Sequence, residues 1–326
     1  MNNHIISRHI FLCCIAFITV LCNEPVGNTR DGYISIGNND SLYYRIVGNG
    51  SQKIIVPMGL WLYDDFKSLA DSIDCTLVFY DVRNRGRSTS IADSTRIGIW
   101  QDVQDVETVR NYFGFQKISL IGWSYLGMMV MLYATDHVPF IDKIVQIGPV
   151  PLQWNNTYPV EDMELSSNID SVEAIKTERL FKRDEKTKYT KVFTEQWAKT
   201  FIFPDLFGDS TFTEKYQPWL LSMVEPENEW YPNFTRHIHH HFGGSVQQLK
   251  TDSLWPIIEK IPIPVLTIHG KKDRNAPFGS GKEWATRLNR AKLVVIQGAG
   301  HLPWIENSDL VMSSIRVFLS QKYMNQ

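Results

Sequence analysis

The stretch Gly122-Trp123-Ser124-Tyr125-Leu126-Gly127 sets one serine between two apolar runs. Lys117-Ile118-Ser119-Leu120-Ile121 before it reads as a buried strand, and Met128 to Ala134 after it reads as a buried helix. A serine at such a junction can act as a nucleophile. The tight turn lifts its hydroxyl above the sheet edge, and the helix start aims backbone N–H groups at a developing oxyanion. Gly122 relieves crowding at the turn, whereas Leu126 stands where the pattern has a second small residue and Gly127 follows one place later. Read locally, Ser124 could equally be an ordinary helix cap. The chemistry therefore depends on a base and an acid elsewhere.

Both are present. The apolar run Ile263 to Gly270 leads into Lys271-Lys272-Asp273-Arg274-Asn275-Ala276-Pro277, and Lys292 to Ile296 leads into Gly298-Ala299-Gly300-His301-Leu302-Pro303-Trp304. Asp273 and His301 each stand just past a strand, and two glycines before His301 free its loop to carry an imidazole over the sheet edge. Singly, a loop aspartate and a loop histidine are commonplace. Together they complete a nucleophile (Ser124), a general base (His301) and an acid (Asp273) that orients the base. Glu306 is a second acid near His301, read here as a structural partner of the C-terminal region.

These residues need a frame. Tyr33 to Ile36 and Ser41 to Val47 read as a hairpin around Gly37-Asn38-Asn39-Asp40. Lys53 to Pro57 is the next strand, followed by Met58-Gly59-Leu60-Trp61 and a helix from Tyr63 to Ile73. Cys75 to Tyr80 is a buried strand ending in Asp81-Val82-Arg83-Asn84-Arg85-Gly86-Arg87-Ser88. Ile99, Val103, Val106, Val109 and Phe113 line one face of a helix over Thr95 to Phe113. A strand over Asp142 to Gly148, a helix near Gly281 to Leu288, and a last helix over about Asp309 to Tyr323 complete the frame. Short apolar strands alternating with helices predict an α/β fold with a doubly wound, mainly parallel sheet. Sites in such sheets lie at the carboxyl ends of strands. From Pro151 to about Pro262 the alternation stops, and charges with scattered aromatics predict an inserted, mainly helical segment. The expected division is 1–27 as a leader, 28–150 and 263–326 as the core, and 151–262 as the insertion.

The 326 residues carry 33 basic and 35 acidic side chains, a formal net charge of −2. No long run of one sign occurs, so nothing calls for nucleic acid as a partner. Met1 to His9 is largely polar and carries Arg8, and Ile10 to Leu21 is apolar. That run is too short for a membrane span, which needs about 20 residues, and suits a signal-peptide core. It ends at Cys22, resembling a bacterial lipoprotein signal in which that cysteine is acylated, although Leu21 replaces the usual small residue. Cleavage nearby and an uncleaved anchor are the alternatives, and export to a bacterial envelope, membrane-attached or periplasmic, is the expected location. Cys75 is then the cysteine left inside the fold, read as plain core, with no disulfide available to it.

Asp81 to Ser88, Gly122 to Gly127, His269-Gly270 through Asp273, and Gly300-His301-Leu302-Pro303-Trp304 together resemble the α/β-hydrolase superfamily, in the branch that includes proline iminopeptidases. The order Ser124, Asp273, His301 is that superfamily's order. The resemblance covers the frame from about Tyr33 to the C-terminus, but not the insertion. Haloalkane dehalogenases and epoxide hydrolases share the frame with an aspartate nucleophile, so Ser124 argues against both. Some relatives place the acid after the preceding strand, where Gly148-Pro149-Val150-Pro151 offers none. The resemblance implies an oxyanion hole from the backbone of Tyr125 and of a residue after the Ile54 to Val56 strand. Leu60 is the first choice and Gly59 the second, because the family's His-Gly is replaced by Met58-Gly59. It also implies that Asp81 and the arginines Arg83, Arg85 and Arg87 tie loops together, where an anion site would be the other reading.

The insertion should be a lid that selects the substrate. Trp61 and Trp230 are candidate substrate contacts, and Trp154, Phe201, Phe203 and Trp219 supply further apolar surface. Glu225, Glu227 and Glu229 could hold a substrate ammonium, as lid carboxylates do in aminopeptidases of the resembled branch, or form a solvated loop. His237, His239, His240 and His241 crowd together, but a serine triad needs no metal, and no metal or cofactor is expected. Three functions stay open: a serine hydrolase of esters or related small acyl compounds, an aminopeptidase acting on short peptides, and a non-turnover protein that binds a small ligand on the same fold.

Overall fold

A computed structural model describes residues 30–91, 93–153, 157–164, 199–200, 203–222 and 251–321. The expectations on Cys22 and the leader, and on Trp154, Phe201, Glu225, Glu227, Glu229, Trp230 and His237 to His241, lie outside those residues. Eight strands form one sheet in the order β1-β2-β4-β3-β5-β6-β7-β8. β1 (Arg30–Gly37) and β2 (Asp40–Val47) form an antiparallel hairpin, and β2 pairs antiparallel with β4 (Cys75–Tyr80). All other pairs are parallel and involve β3 (Gln52–Pro57), β5 (Ile118–Trp123), β6 (Ile141–Ile147), β7 (Val265–Gly270) and β8 (Ala291–Ile296).

The hairpin turn follows from its sequence. Asn38 and Asn39 both have positive φ, 54° and 63°, as a two-residue turn between twisted strands requires, and asparagine tolerates that region. Every residue of β4, β5 and β7 is buried, so these mainly apolar strands lack the in-and-out alternation of a half-exposed sheet. Cys75 is free and buried, and burial pushes its thiol up to about 11, which leaves it unreactive at neutral pH.

Two helices differ from expectation. α1 (Gly59–Phe66) starts earlier than predicted, because Met58 adopts φ 74° and turns the chain out of β3 directly into the helix. It breaks before α2 (Leu69–Ser72). The helix expected over Thr95 to Phe113 is interrupted at Gly98, a poor helix residue, and α3 runs from Ile99 to Tyr112 after a short 3-10 turn. Its periodic face is buried as predicted through Ile99, Val103, Val106 and Val109. α4 (Tyr125–His137) packs on β5, β6 and α3. Within the insertion, the described α-helices are α5 (Phe203–Leu206), α6 (Ser210–Ser222) and α7 (Thr251–Ile258), preceded by a 3-10 turn at Val160–Asp162, with no strand among the described residues. α8 (Phe278–Arg287) packs on β7 and β8, and α9 (Pro303–Glu306) precedes α10 (Ser308–Ser320), which touches α2. Helices therefore cover both faces, and the carboxyl ends of β3, β5, β6, β7 and β8 share one edge.

Candidate active site

Ser124 is the hinge between β5 and α4. It is a non-glycine residue at φ 57°, ψ −126°, a conformation that persists only where surroundings impose it. The imposing contact is visible at Gly122, where a Cβ would fall 2.3 Å from the Leu126 carbonyl oxygen. That contact is with backbone, so Leu126 can bury its own side chain in the core. Gly127 is the small residue of the second half: a Cβ there would come within 3.2 Å of the Gly122 oxygen and of Pro149. The Ser124 N–H donates to the Ile147 carbonyl at 2.8 Å, fixing the turn to the end of β6.

The structure brings Ser124, His301 and Asp273 together. His301 Nε2 lies 2.9 Å from Ser124 Oγ, and His301 Nδ1 lies 2.7 Å from Asp273 Oδ2. Asp273 is fully buried on the loop after β7, and its Oδ1 accepts the N–H groups of Asn275 at 2.9 Å and Ala276 at 2.8 Å. Burial alone would raise its pKa. The neighbouring His301 charge and hydrogen bonds from His269 and His301 outweigh it and hold the carboxyl at about 2. Gly148, at φ 49°, lets the end of β6 pass beside the pair, since a Cβ would fall 3.2 Å from Asp273 Oδ2 and 3.3 Å from His301 Nδ1.

Trp123, Trp304 and the segment Asp205 to Asp209, which had no assigned role, complete the surroundings together with the expected Trp61, Trp219 and Glu306. The Trp123 indole N–H donates to the His301 carbonyl at 2.9 Å, and its ring lies 5.1 Å from the imidazole. Trp304 meets Trp123 edge-on at 5.3 Å and donates to Asp65 Oδ2 at 2.9 Å. Trp61 sits 5.5 Å from Trp123 and 5.3 Å from Trp219, so an aromatic row runs from the insertion to the base. Trp123 and Trp304 lie inside the quoted motifs, and their bulk beside a nucleophile and a base was the available signal. The segment Asp205 to Asp209 gave none. His301 N–H donates to the Leu206 carbonyl at 2.8 Å, and Asn275 Nδ2 donates to the Asp205 carbonyl at 2.8 Å. This part of the insertion thus holds the base loop and the acid loop at once. Glu306 belongs to the same tie. Its carboxylate accepts Gly300 N–H at 2.6 Å, Gly208 N–H at 2.9 Å and Asp209 N–H at 3.2 Å, all backbone groups.

β3 lies next to β5, so α1 and α4 start from neighbouring strands at one edge. Gly59 and Leu60 are the first residues of α1 and Tyr125 is the first of α4. N–H groups at these positions have no intrahelical acceptor by geometry, which suits them to a developing oxyanion. The Tyr125 hydroxyl donates to Asp102 Oδ2 at 3.1 Å in the buried layer beneath. The arginine loop ties chain to chain. Arg83 grips Asp105 with two bonds of 2.7 and 2.8 Å, Asp81 Oδ2 accepts the Arg87 N–H at 3.1 Å, and Arg85 is buried against Met58 at the α1 turn. Among the described residues no group of three or more potential metal ligands is found.

Residues 57–308 match the family model described as the alpha/beta hydrolase fold. The chain is 22% identical over 300 residues to a proline iminopeptidase of Xanthomonas citri, covering 83% of this chain and 90% of that protein. Among solved structures it resembles a bromoperoxidase from Bacillus anthracis at a TM-score of 0.68 and 18% identity, covering 90% of this chain and 100% of that one. An esterase from Exiguobacterium antarcticum aligns at a TM-score of 0.66 and 16% identity, covering 89% and 99%.

Proposed function

The chain is a hydrolase that belongs to the α/β-hydrolase fold family, and on that footing we propose that it cleaves an ester or related small acyl compound through Ser124, His301 and Asp273. The observation that carries this reading is the unbroken line of short contacts from Ser124 Oγ to His301 Nε2 and from His301 Nδ1 to Asp273 Oδ2. His301 Nε2 takes the hydroxyl proton as Ser124 Oγ bonds to the acyl carbon. The carbonyl electrons pass to oxygen, which the N–H of Tyr125 and of Gly59 or Leu60 receive. Collapse of that intermediate breaks the bond to the leaving group, which takes the proton from His301. Water then repeats the sequence, giving its proton to His301, and the acid departs as Ser124 recovers its own. Asp273 keeps the hydrogen on Nδ1 and steadies the imidazolium.

The insertion, 151–262, acts in this reading as a lid that selects the substrate. Trp219 of α6 against Trp61, and Trp61 against Trp123, support an apolar approach to Ser124. A second reading, aminopeptidase action, is favoured by the sequence relatives named proline iminopeptidase. Its ammonium-binding groups would come from Glu225, Glu227 or Glu229. Side-by-side assays on p-nitrophenyl esters and aminoacyl-arylamides decide between the two, with faster ester turnover expected. Preference for a free N-terminal amine would reverse the order, and tight binding without turnover would leave a ligand-binding protein.

The leader 1–27 supports export, with a lipid on Cys22 supplying an anchor that its short apolar run lacks. Among the described residues no helix is long and apolar enough to cross a membrane. In a bacterial host the full chain should fractionate with membranes, and Cys22→Ser should release it. Retention of an unprocessed Cys22→Ser chain would show a plain anchor instead.

A further inference from the structure

His269 is the penultimate residue of β7, fully buried, and part of neither the nucleophile nor the base. Its Nε2 lies 2.9 Å from the Ala276 carbonyl oxygen and 3.3 Å from Asp273 Oδ2. Both neighbours are acceptors, so Nε2 carries the hydrogen and shares it between them. The other nitrogen, Nδ1, has no hydrogen-bond partner among the described residues. It packs instead on α8, where a Cβ at Gly281 would fall 2.2 Å away. The ring is therefore held edge-first toward the acid loop by a glycine that leaves room for it.

We infer that His269 is a positioning residue for the acid, clamping the Asp273 to Ala276 turn and fixing the rotation of the carboxylate that orients His301. The inference rests on the serine-hydrolase reading above. Ala276 is gripped twice: its N–H donates to Asp273 Oδ1 at 2.8 Å, and its carbonyl accepts from His269. With Asn275 also on Oδ1 and His301 on Oδ2, the His269 N–H fills the remaining acceptor direction of the carboxylate. A carboxylate saturated in this way keeps a low proton affinity and one orientation. It holds the Nδ1–H tautomer of His301 without competing for the proton. Without His269, Oδ2 becomes a stronger partner for the imidazolium, and the turn loses its tie to β7.

The test reads the rate at which a fluorophosphonate labels Ser124, which needs no knowledge of the substrate, as a function of pH. Glutamine places an amide nitrogen as many bonds from Cα as His Nε2, whereas asparagine falls short. His269→Asn should slow labelling about tenfold, because a loosened Asp273 turn lets His301 drift from its alignment with Ser124. Its acid limb should move to higher pH, because His301⁺ is held more tightly. His269→Gln should recover the rate to within about twofold of wild type and return the limb. Gly281→Ala should slow labelling as well, by displacing the ring without touching it chemically. A folded His269→Asn with the wild-type rate and limb overturns the inference, as does equal impairment of the asparagine and glutamine variants. If His269→Asn does not fold, wild-type labelling by a folded Gly281→Ala overturns it in the same way. Wild-type protein unlabelled at Ser124 would remove the serine-hydrolase reading itself, and this inference with it.

Discussion

Ser124→Ala is expected to lower turnover of any ester substrate by about a millionfold, the scale seen when a triad nucleophile is removed. The hydroxyl is the atom that bonds to carbon, and nothing else in the described site can replace it at 2.9 Å from His301 Nε2. The backbone donors stay in place, so a residue of catalysis over water should survive. Thermal stability should be close to wild type or slightly higher. The strained backbone at φ 57° is set by Gly122 and the start of α4, not by the hydroxyl, and the variant retains it. A loss of less than about a hundredfold would place the nucleophile elsewhere.

Asp273→Asn is expected to lower kcat by about ten-thousandfold with little change in KM. The amide presents an N–H to His301 Nδ1, the imidazole shifts its hydrogen to Nε2, and Nε2 can no longer accept from Ser124. Glu306→Gln should cost no more than about tenfold, because an amide oxygen still accepts from the backbone of Gly300 or of the insertion. The reverse ranking would mean that the acid is misassigned. The pH dependence follows from the Asp273 carboxyl, held at about 2 against an ordinary 3.8. A depressed carboxyl stabilises the fold above its unfolded value, and that contribution is lost as pH falls from about 3.8 through about 2. Asp273 therefore stays ionised wherever the enzyme works. Activity should rise with pH along a single limb owned by His301, which must be neutral to accept the proton.

Much of the frame was legible because its signals are local. The strands β4, β5 and β7 are mainly apolar and buried throughout, and the asparagine pair of the hairpin announces its own turn. Ser124, Asp273 and His301 could be picked out because each comes after a mainly apolar strand, β5, β7 and β8 in turn, and the structure sets them within hydrogen-bond reach. What stayed hidden depends on contacts distant in sequence. Met58 at φ 74° moves the start of α1, and nothing in its type announces that conformation. The segment Asp205 to Asp209 reads as an unremarkable stretch of the insertion, yet its carbonyls receive His301 and Asn275 from two separate loops. His269 reads as one more strand residue until Gly281 and Asp273 are seen on either side of it. Leu126 looked like a break in the motif because pattern matching counts side chains, whereas the close contact with Gly122 is made by backbone.

The measurement closest to the central claim is peptide mapping of the protein after reaction with a fluorophosphonate. One adduct is expected, on the peptide containing Ser124, lost in Ser124→Ala and strongly slowed in His301→Ala. An adduct on another serine, or one on Ser124 that forms equally fast without His301, would contradict it.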